Sequence, residues 1–404
     1  MKTARLATLL TALAALATML PQDASAIPVF ARKYGVNCTM CHSSFPRLND
    51  FGARFRANGY RLPGRENIER TVLESPAPLA LRTSAGYNYA LLRNPPTPGG
   101  DNKLSAVELN GLDILSAGLL GAKIGYFMVF VPGITESRGV AGQEASLEMA
   151  SLVFSGIAKG ALTVRAGRFE PAYTAFSVKR QLSASPYEIY DYSFPGGPAY
   201  SETQTGVEMR GGGYGPLRAV AGLVAGSATN QANDSPQDVY LRVEGVLGPG
   251  EGQTAGHRFG LVGYAGRARP GNVDSTGTGL QSFTRIGADA SLNLAVCNLA
   301  LQYLWSRDKG SLWGENDNVT WSGGFAEVTC TSSGHVTGFA RYDMVKQPSF
   351  LTDEKDIRRI TAGARYHFED NVAAHLEYSR RVTSTPAADD PTEESLTARL
   401  DMAL

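Results

Sequence analysis

With 38 Lys and Arg against 38 Asp and Glu, the 404-residue chain has no net charge, which excludes a global field suited to nucleic acid or to a polyacidic partner. The length allows one large domain or two modest ones. Forty-five glycines and a charged fraction of only 19% suit an all-β protein with many turns better than a helical one.

Residues 1–26 read as a secretory signal peptide. Lys2 and Arg5 form its positive end, Leu6 to Leu20 its apolar run, and Ala24-Ser25-Ala26 a small-x-small cleavage site. A retained anchor is the competing reading, and the short apolar run argues against it. After it, no stretch of about 18 apolar residues occurs, so no transmembrane helix is expected in the mature chain, while a membrane β-barrel stays open.

The next segment, 27–75, holds Cys38-Thr39-Met40-Cys41-His42, the pattern for c-type haem attachment. Two thiols at this spacing add across the two haem vinyl groups, and the adjacent imidazole is held against one face of the iron. Cys38 and Cys41 are thus the expected attachment residues and His42 the expected proximal iron ligand. A zinc site would need a second ligand pair at similar spacing, and a thioredoxin-like pair a surrounding βαβ pattern; neither is present. Phe30, Tyr34, Phe45, Leu48, Phe51, Phe55 and Tyr60 offer enough apolar surface to cover a macrocycle. Pro46 to Asn58 is predicted as a short helix with Leu48, Phe51 and Phe55 on one face. Gly52 would let its backbone approach a flat ligand, and Gly59 would end the helix. About 40 residues are too few for a core of their own, so covalent haem is the expected nucleus. Arg32, Lys33, Arg47, Arg54, Arg56, Arg61 and Arg65 face only Asp50 as counter-charge; some are expected on haem propionates, others in solvent.

From 78 to 404 the pattern changes to segments of about ten residues that alternate apolar and polar, the signature of transmembrane β-strands. In 239–245, Val239, Leu241, Val243 and Gly245 oppose Tyr240, Arg242 and Glu244. In 357–369, Ile360, Ala362, Ala364, Tyr366 and Phe368 oppose Arg359, Thr361, Arg365, His367 and Glu369. The last segment sets Leu396, Ala398, Leu400, Met402 and Leu404 on one face. About 16 strands are predicted, joined by short turns (Lys159-Gly160, Ala295 to Asn298, Glu369-Asp370-Asn371 among them) that alternate with long polar loops such as 94–102, 228–236, 308–318 and 383–394. Short turns on one side and long loops on the other are expected of an outer-membrane barrel with its termini in the periplasm. A soluble β-sandwich would give no such asymmetry. The fold class is therefore all-β: an antiparallel transmembrane barrel with a small α-helical haem segment plugging its lumen.

The largest loop, about 171–202, carries Tyr173, Phe176, Tyr187, Tyr190, Tyr192, Phe194 and Tyr200; it either folds inward as a constriction or stays outside. Cys297 and Cys330 flank one hairpin, whose loop centres near Trp313, and are expected to form a structural disulfide in an oxidising compartment.

Ile27 to Gly35, the haem motif, Phe45 to Gly52 and Asn58-Gly59-Tyr60 together resemble the fused cytochrome–porin outer-membrane proteins, whose best-known members are monohaem iron oxidases of Fe(II)-oxidising bacteria. The order of parts is the same: signal, monohaem segment, porin-like barrel. Residue-level resemblance covers about 27–64; over the barrel it is architectural. This chain departs in having Ser43-Ser44 after His42, where the iron oxidases carry an aromatic and a glutamine. The resemblance implies electron transfer through the outer membrane by one haem c. The donor would be extracellular, Fe(II) in the iron oxidases, and the acceptor a periplasmic carrier such as a soluble cytochrome or cupredoxin. The enzyme reading would be an Fe(II):cytochrome oxidoreductase.

The haem segment has no histidine beyond His42 and no methionine beyond Met40, which lies inside the attachment loop. A sixth iron ligand would then come from the barrel, with His375 first and His367 second because both have the lumen-facing phase beside the turn 369–371. Otherwise they are ordinary lumen residues and the iron is five-coordinate or binds water. His335 shares that phase, His257 faces out with Phe259 and Leu261, and Met128, Met149, Met209 and Met344 give no decisive phase. Asp389, Asp390, Glu393 and Glu394 are a weak candidate for Fe(II) attraction through hard oxygen donors. The competing functions are a porin-type transport channel with a structural or gating haem plug, and a haem peroxidase, for which no distal acid–base constellation is visible.

Overall fold

The computed structural model describes residues 29–62, 71–72, 79–94, 101–133, 145–174, 176–192, 199–213, 215–226, 238–248, 256–268, 281–309, 318–332, 335–346, 356–369, 371–384 and 390–403. The expected signal, 1–26, lies outside them, as do Arg65, Phe194, Trp313 and Asp389.

The N-terminal part forms helix α1 (Val29–Tyr34), a short ladder of β1 (His42–Ser44) with β2 (Arg47–Leu48), and helix α2 (Asp50–Ala57). Helix α2 starts later than the predicted Pro46. Residues 47–48 pair with β1, and Asn49 caps the helix by accepting from the Gly52 amide at 2.9 Å. Gly59, at φ +70°, ends it as expected. Phe51 and Phe55 share its buried face, and Phe30, Tyr34 and Tyr60 pack around Phe55.

The rest is a closed barrel of sixteen antiparallel strands, β3 (Leu79–Arg93) to β18 (Thr392–Ala403), each bonded to its sequence neighbours. Closure comes from β18 lying against β3, with Thr392 opposite Arg93 and Ala403 opposite Arg82. Connections alternate between turns such as 122–123 and 295–296 and long segments such as 132–145 and 310–317. The hairpin of β13 (Cys297–Lys309) and β14 (Asn318–Ser332) carries a disulfide at its short-turn end, where Cys297 and Cys330 face each other in register.

Polarity is inverted relative to a water-soluble core. On β10 (Asp238–Leu247) Leu241 is 55% exposed and Arg242 only 3%. On β16 (Asp356–Glu369) Ile360, Tyr366 and Phe368 point out while Arg359, Thr361 and Arg365 are buried. An apolar exterior on a barrel whose closure leaves no free sheet edge is the one sheet architecture that lipid tolerates. The chain is a membrane-spanning barrel of the outer-membrane kind, its lipid contact made by these outward apolar residues.

Two parts of the chain lie against the inner face of the wall. The long segment between β7 (Leu162–Phe169) and β8 (Gln204–Gly211) folds inward: Tyr173, Leu182, Tyr187, Tyr190 and Tyr200 are all at most 3% exposed. Its amides at Ala184 and Ser185 each donate to Glu377 at 2.7 Å, and its short helix α3 (Glu188–Asp191) puts Glu188 against Arg359 and Arg381 at 2.6 and 2.9 Å. Residues 29–62 pack beside it inside the wall. Asp50 meets Arg218 at 2.7 Å, Arg61 donates to Ser155 Oγ at 2.7 Å, and Arg47 pairs with Glu327.

Two changes test this arrangement. Leu241→Arg puts a charge into the lipid-facing belt and should cost about 2–4 kcal/mol if that position lies at the bilayer midplane, read by urea unfolding from phospholipid vesicles. Arg47→Ala leaves Glu327 with Tyr187 at 2.6 Å and Thr329 at 3.1 Å, so the loss should be about 1–3 kcal/mol. It should appear as faster proteolysis of the N-terminal segment with the barrel intact.

Candidate functional site

The Cys38–His42 motif folds as one 3₁₀ turn, in which the Cys41 amide donates to the Cys38 carbonyl at 3.1 Å. Asn49 ties that turn to helix α2. While its Oδ1 caps the helix, its Nδ2 donates to the Met40 and Thr39 carbonyls at 3.0 and 3.2 Å. Gly52 is required by the same packing, because a Cβ there would overlap the Cys41 carbonyl oxygen. Its backbone was expected to approach a flat ligand; what it approaches most closely is the attachment turn itself.

His42 donates from Nδ1–H to the Arg47 carbonyl at 3.2 Å, which orients the ring and makes Nε2 the unprotonated nitrogen of the neutral form. Burial pushes its imidazole down to about 4, against the smaller opposing pull of the Pro46 and Arg47 backbone, so it is neutral at ordinary pH and its lone pair is available. Burial, and then the neighbouring Cys38, pushes the Cys41 thiol up to about 11. Unlike Cys297 and Cys330, Cys38 and Cys41 remain thiols.

These three side chains open into a cavity of about 260 Å³ between the N-terminal segment and the barrel wall. Phe30, Phe55 and Tyr60 line it from the segment, and Leu115, Phe127 and Met149 from the wall. Arg56, Arg82, Arg165 and Arg180 also reach it. Paired thiols, an oriented neutral imidazole, mostly apolar walls and guanidiniums suited to carboxylates are the donor set and surroundings that a covalently attached c-type haem requires. The residues present fit that group: Cys38 and Cys41 would hold its periphery and His42 its iron.

Several expected residues have other work. Arg47 donates to Tyr187 Oη at 2.8 Å besides pairing with Glu327, Arg54 pairs with Asp50 at 3.1 Å, and Arg61 is held by the wall. Among the described basic residues of the segment, Arg47 and Arg56 line the cavity, Arg56 3.9 Å from Glu170. The other three guanidiniums come from the barrel wall (Arg82, Arg165) and the inward loop (Arg180), positions that no local motif links to the Cys38–His42 segment.

His375 is buried at 2% exposure with both ring nitrogens engaged, Nδ1 by Arg365 at 2.9 Å and Nε2 by Glu377 at 3.1 Å. His367 lines a neighbouring cavity of about 350 Å³ with Phe45 and Pro46. Neither lines the cavity of Cys38, Cys41 and His42. His335 stacks on the outward Tyr366, and Met128 and Met209 face out at 42% and 48% exposure. Met149 points inward at 5%. The ladder slips between Val129 and Phe130 beside it, which breaks the strict alternation from which its phase could have been read. Of the acidic group, Glu394 already faces Arg93 and Arg380, and no cluster of three metal-ligating side chains occurs among the described residues.

No protein-family profile and no curated protein matches the chain. Solved structures do. It is similar to an anion-selective porin from Comamonas acidovorans, with 13% identity, a TM-score of 0.59, and 81% of this chain against 100% of that one covered. The outer membrane channel DcaP of Acinetobacter baumannii gives 7% identity and 0.59, over 81% and 97%. Salmonella typhi OmpF in complex with daunomycin gives 12% and 0.58, again over 81% and 97%. At such identities the likeness is one of fold: a closed, sixteen-stranded, porin-like barrel.

Proposed function

We propose that the chain is a fused cytochrome–porin: an outer-membrane barrel whose lumen holds one covalently attached haem c, moving single electrons between an extracellular donor and a periplasmic carrier. The observation that supports this is the opening of Cys38, Cys41 and an oriented His42 into a mostly apolar cavity inside the barrel. A haem attached there supplies a one-electron acceptor and donor in a wall that conducts none by itself. Cys38 and Cys41 would fix it against loss and His42 would hold its iron, with the Arg47 carbonyl keeping that ring turned. Phe30, Phe55, Tyr60 and Phe127 would exclude water; Arg56, Arg82, Arg165 and Arg180 reach the cavity while paired with Glu170, Asp113, Glu208 and Glu148, and would share their charge with the haem carboxylates. An Fe(II) donor would leave as Fe(III) for each electron delivered, and a periplasmic cytochrome or cupredoxin would take that electron up.

A second reading is transport: a porin-type channel in which the haem segment is structural or gates the pore. The solved neighbours named above are porins and channels, and on that likeness alone transport stands ahead of electron transfer. The inward loop and the N-terminal segment, which occupy the lumen with paired charges, favour the first reading.

Proteoliposomes separate the two. Wild-type protein should reduce an entrapped cytochrome when Fe(II) is added outside, with little ion leak, and Cys38→Ser/Cys41→Ser should abolish both haem staining and reduction. Solute flux that is unaffected by haem redox state or by the double substitution, with no reduction inside, favours transport. Gly52→Ala, by forcing the Cys41 carbonyl aside, should lower haem yield several-fold while barrel yield stays constant.

A further inference from the structure

The proximal side of the cavity is set by His42, and the open question is what the iron would meet on its other side. Besides His42, Met149 is the one imidazole or thioether among the described residues that line the cavity. It comes from β6 (Ser146–Ile157), on the barrel wall, rather than from the N-terminal segment. It is 5% exposed, and its partner across the ladder, Val129, is fully buried, so its thioether is kept from bulk water. The other polar lining groups are poor competitors. Guanidiniums stay protonated and offer no lone pair, and Glu170 is engaged by Ser177 Oγ at 2.8 Å and by the Lys179 amide at 3.2 Å. The thiols of Cys38 and Cys41 are the attachment points.

We propose that the Met149 sulfur is the second axial ligand, so that the haem of the fused cytochrome–porin reading, on which this inference rests, is coordinated by His42 from the segment and Met149 from the barrel wall. Three consequences follow. A thioether partner favours the reduced iron and raises the potential relative to bis-histidine ligation. A filled sixth position suits electron transfer and leaves no vacancy for peroxide. The ligand pair also ties two parts of the chain together, so correct seating of the segment in the barrel completes the coordination sphere.

The test uses full-length purified protein in detergent, with Met149→Leu and Met149→His compared with wild type. Wild-type ferric protein should show the weak sulfur-to-iron charge-transfer band at the red end of the visible spectrum, and its ferrous form should resist carbon monoxide. Met149→Leu keeps the apolar volume and should lose the band, bind carbon monoxide and show a lower midpoint potential, while haem staining and gel mobility of the folded barrel stay unchanged. Met149→His should again resist carbon monoxide but without the band. A wild-type spectrum lacking the band, or a Leu variant that keeps it, overturns the assignment while leaving covalent haem intact. Absence of haem staining in the wild type overturns the haem reading itself.

Discussion

A ring of sixteen strands encloses a lumen too wide for its own inward side chains to fill, and most of what is distinctive in this molecule answers that constraint. Alternation sends the apolar residues outward, so the wall presents Arg, Asp, Glu, Ser and Thr to the interior. In an open pore, water would solvate them. Here the 171–202 loop and the N-terminal segment take much of that space, and each buried charge needs a partner. Glu188 of the loop lies against Arg359 at 2.6 Å, and Asp50 of the segment against Arg218 at 2.7 Å. Stripping one partner from such a pair costs about 3–5 kcal/mol, so the loop and the segment are bound to the wall by electrostatic necessity.

The two occupants divide the lumen. Aromatic side chains of the loop and wall, Tyr173, Tyr200, Tyr264 and Phe283, pack with ring centroids 4.9 to 6.3 Å apart, near the strand ends that carry the long loops. The cavity of Cys38, Cys41 and His42 is lined by Ala80, Leu81 and Ala403, from the beginning of β3 and the end of β18, at the short-turn end. Tyr187 lies between these regions, touching Arg47 of the segment and Tyr190 of the loop. Loop and segment therefore stabilise each other through a handful of shared contacts, and loosening one exposes charges that the other neutralises.

The barrel was legible in the sequence because its period is two and each strand repeats the message: Leu241 out with Arg242 in, Ile360 out with Arg359 in. The turns at 295–296 and 369–371 fix the phase. The helix start was misjudged by four residues, since apolar spacing alone does not reveal that Arg47-Leu48 would pair with His42 to Ser44 and leave Asn49 as the cap. Local chemistry identified the motif but could not identify its walls. Phe127, Met149 and Arg165 arrive from strands roughly a hundred residues away, and at Met149 a slipped register hides the phase. His375 has the right phase and the right end of the barrel, yet phase says nothing about the neighbours that occupy both of its nitrogens, Arg365 across the ladder and Glu377 two residues along its own strand.

Where the cavity lies bears on the choice between electron and solute traffic. A solute crossing this barrel would pass between the wall and two inner segments, beside ion pairs such as Arg47 with Glu327, each buried to 5% exposure or less. An electron requires no such passage; it needs a redox centre within reach of each partner and a packed medium between them. If the proposed haem is present, a centre near the short-turn end would lie close to a periplasmic carrier, and the aromatic packing of the 171–202 loop would span the way to an outside donor. On the proposed reading that loop would set how near an extracellular donor could come, because its Tyr187 touches both Arg47 of the segment and Tyr190 of the loop.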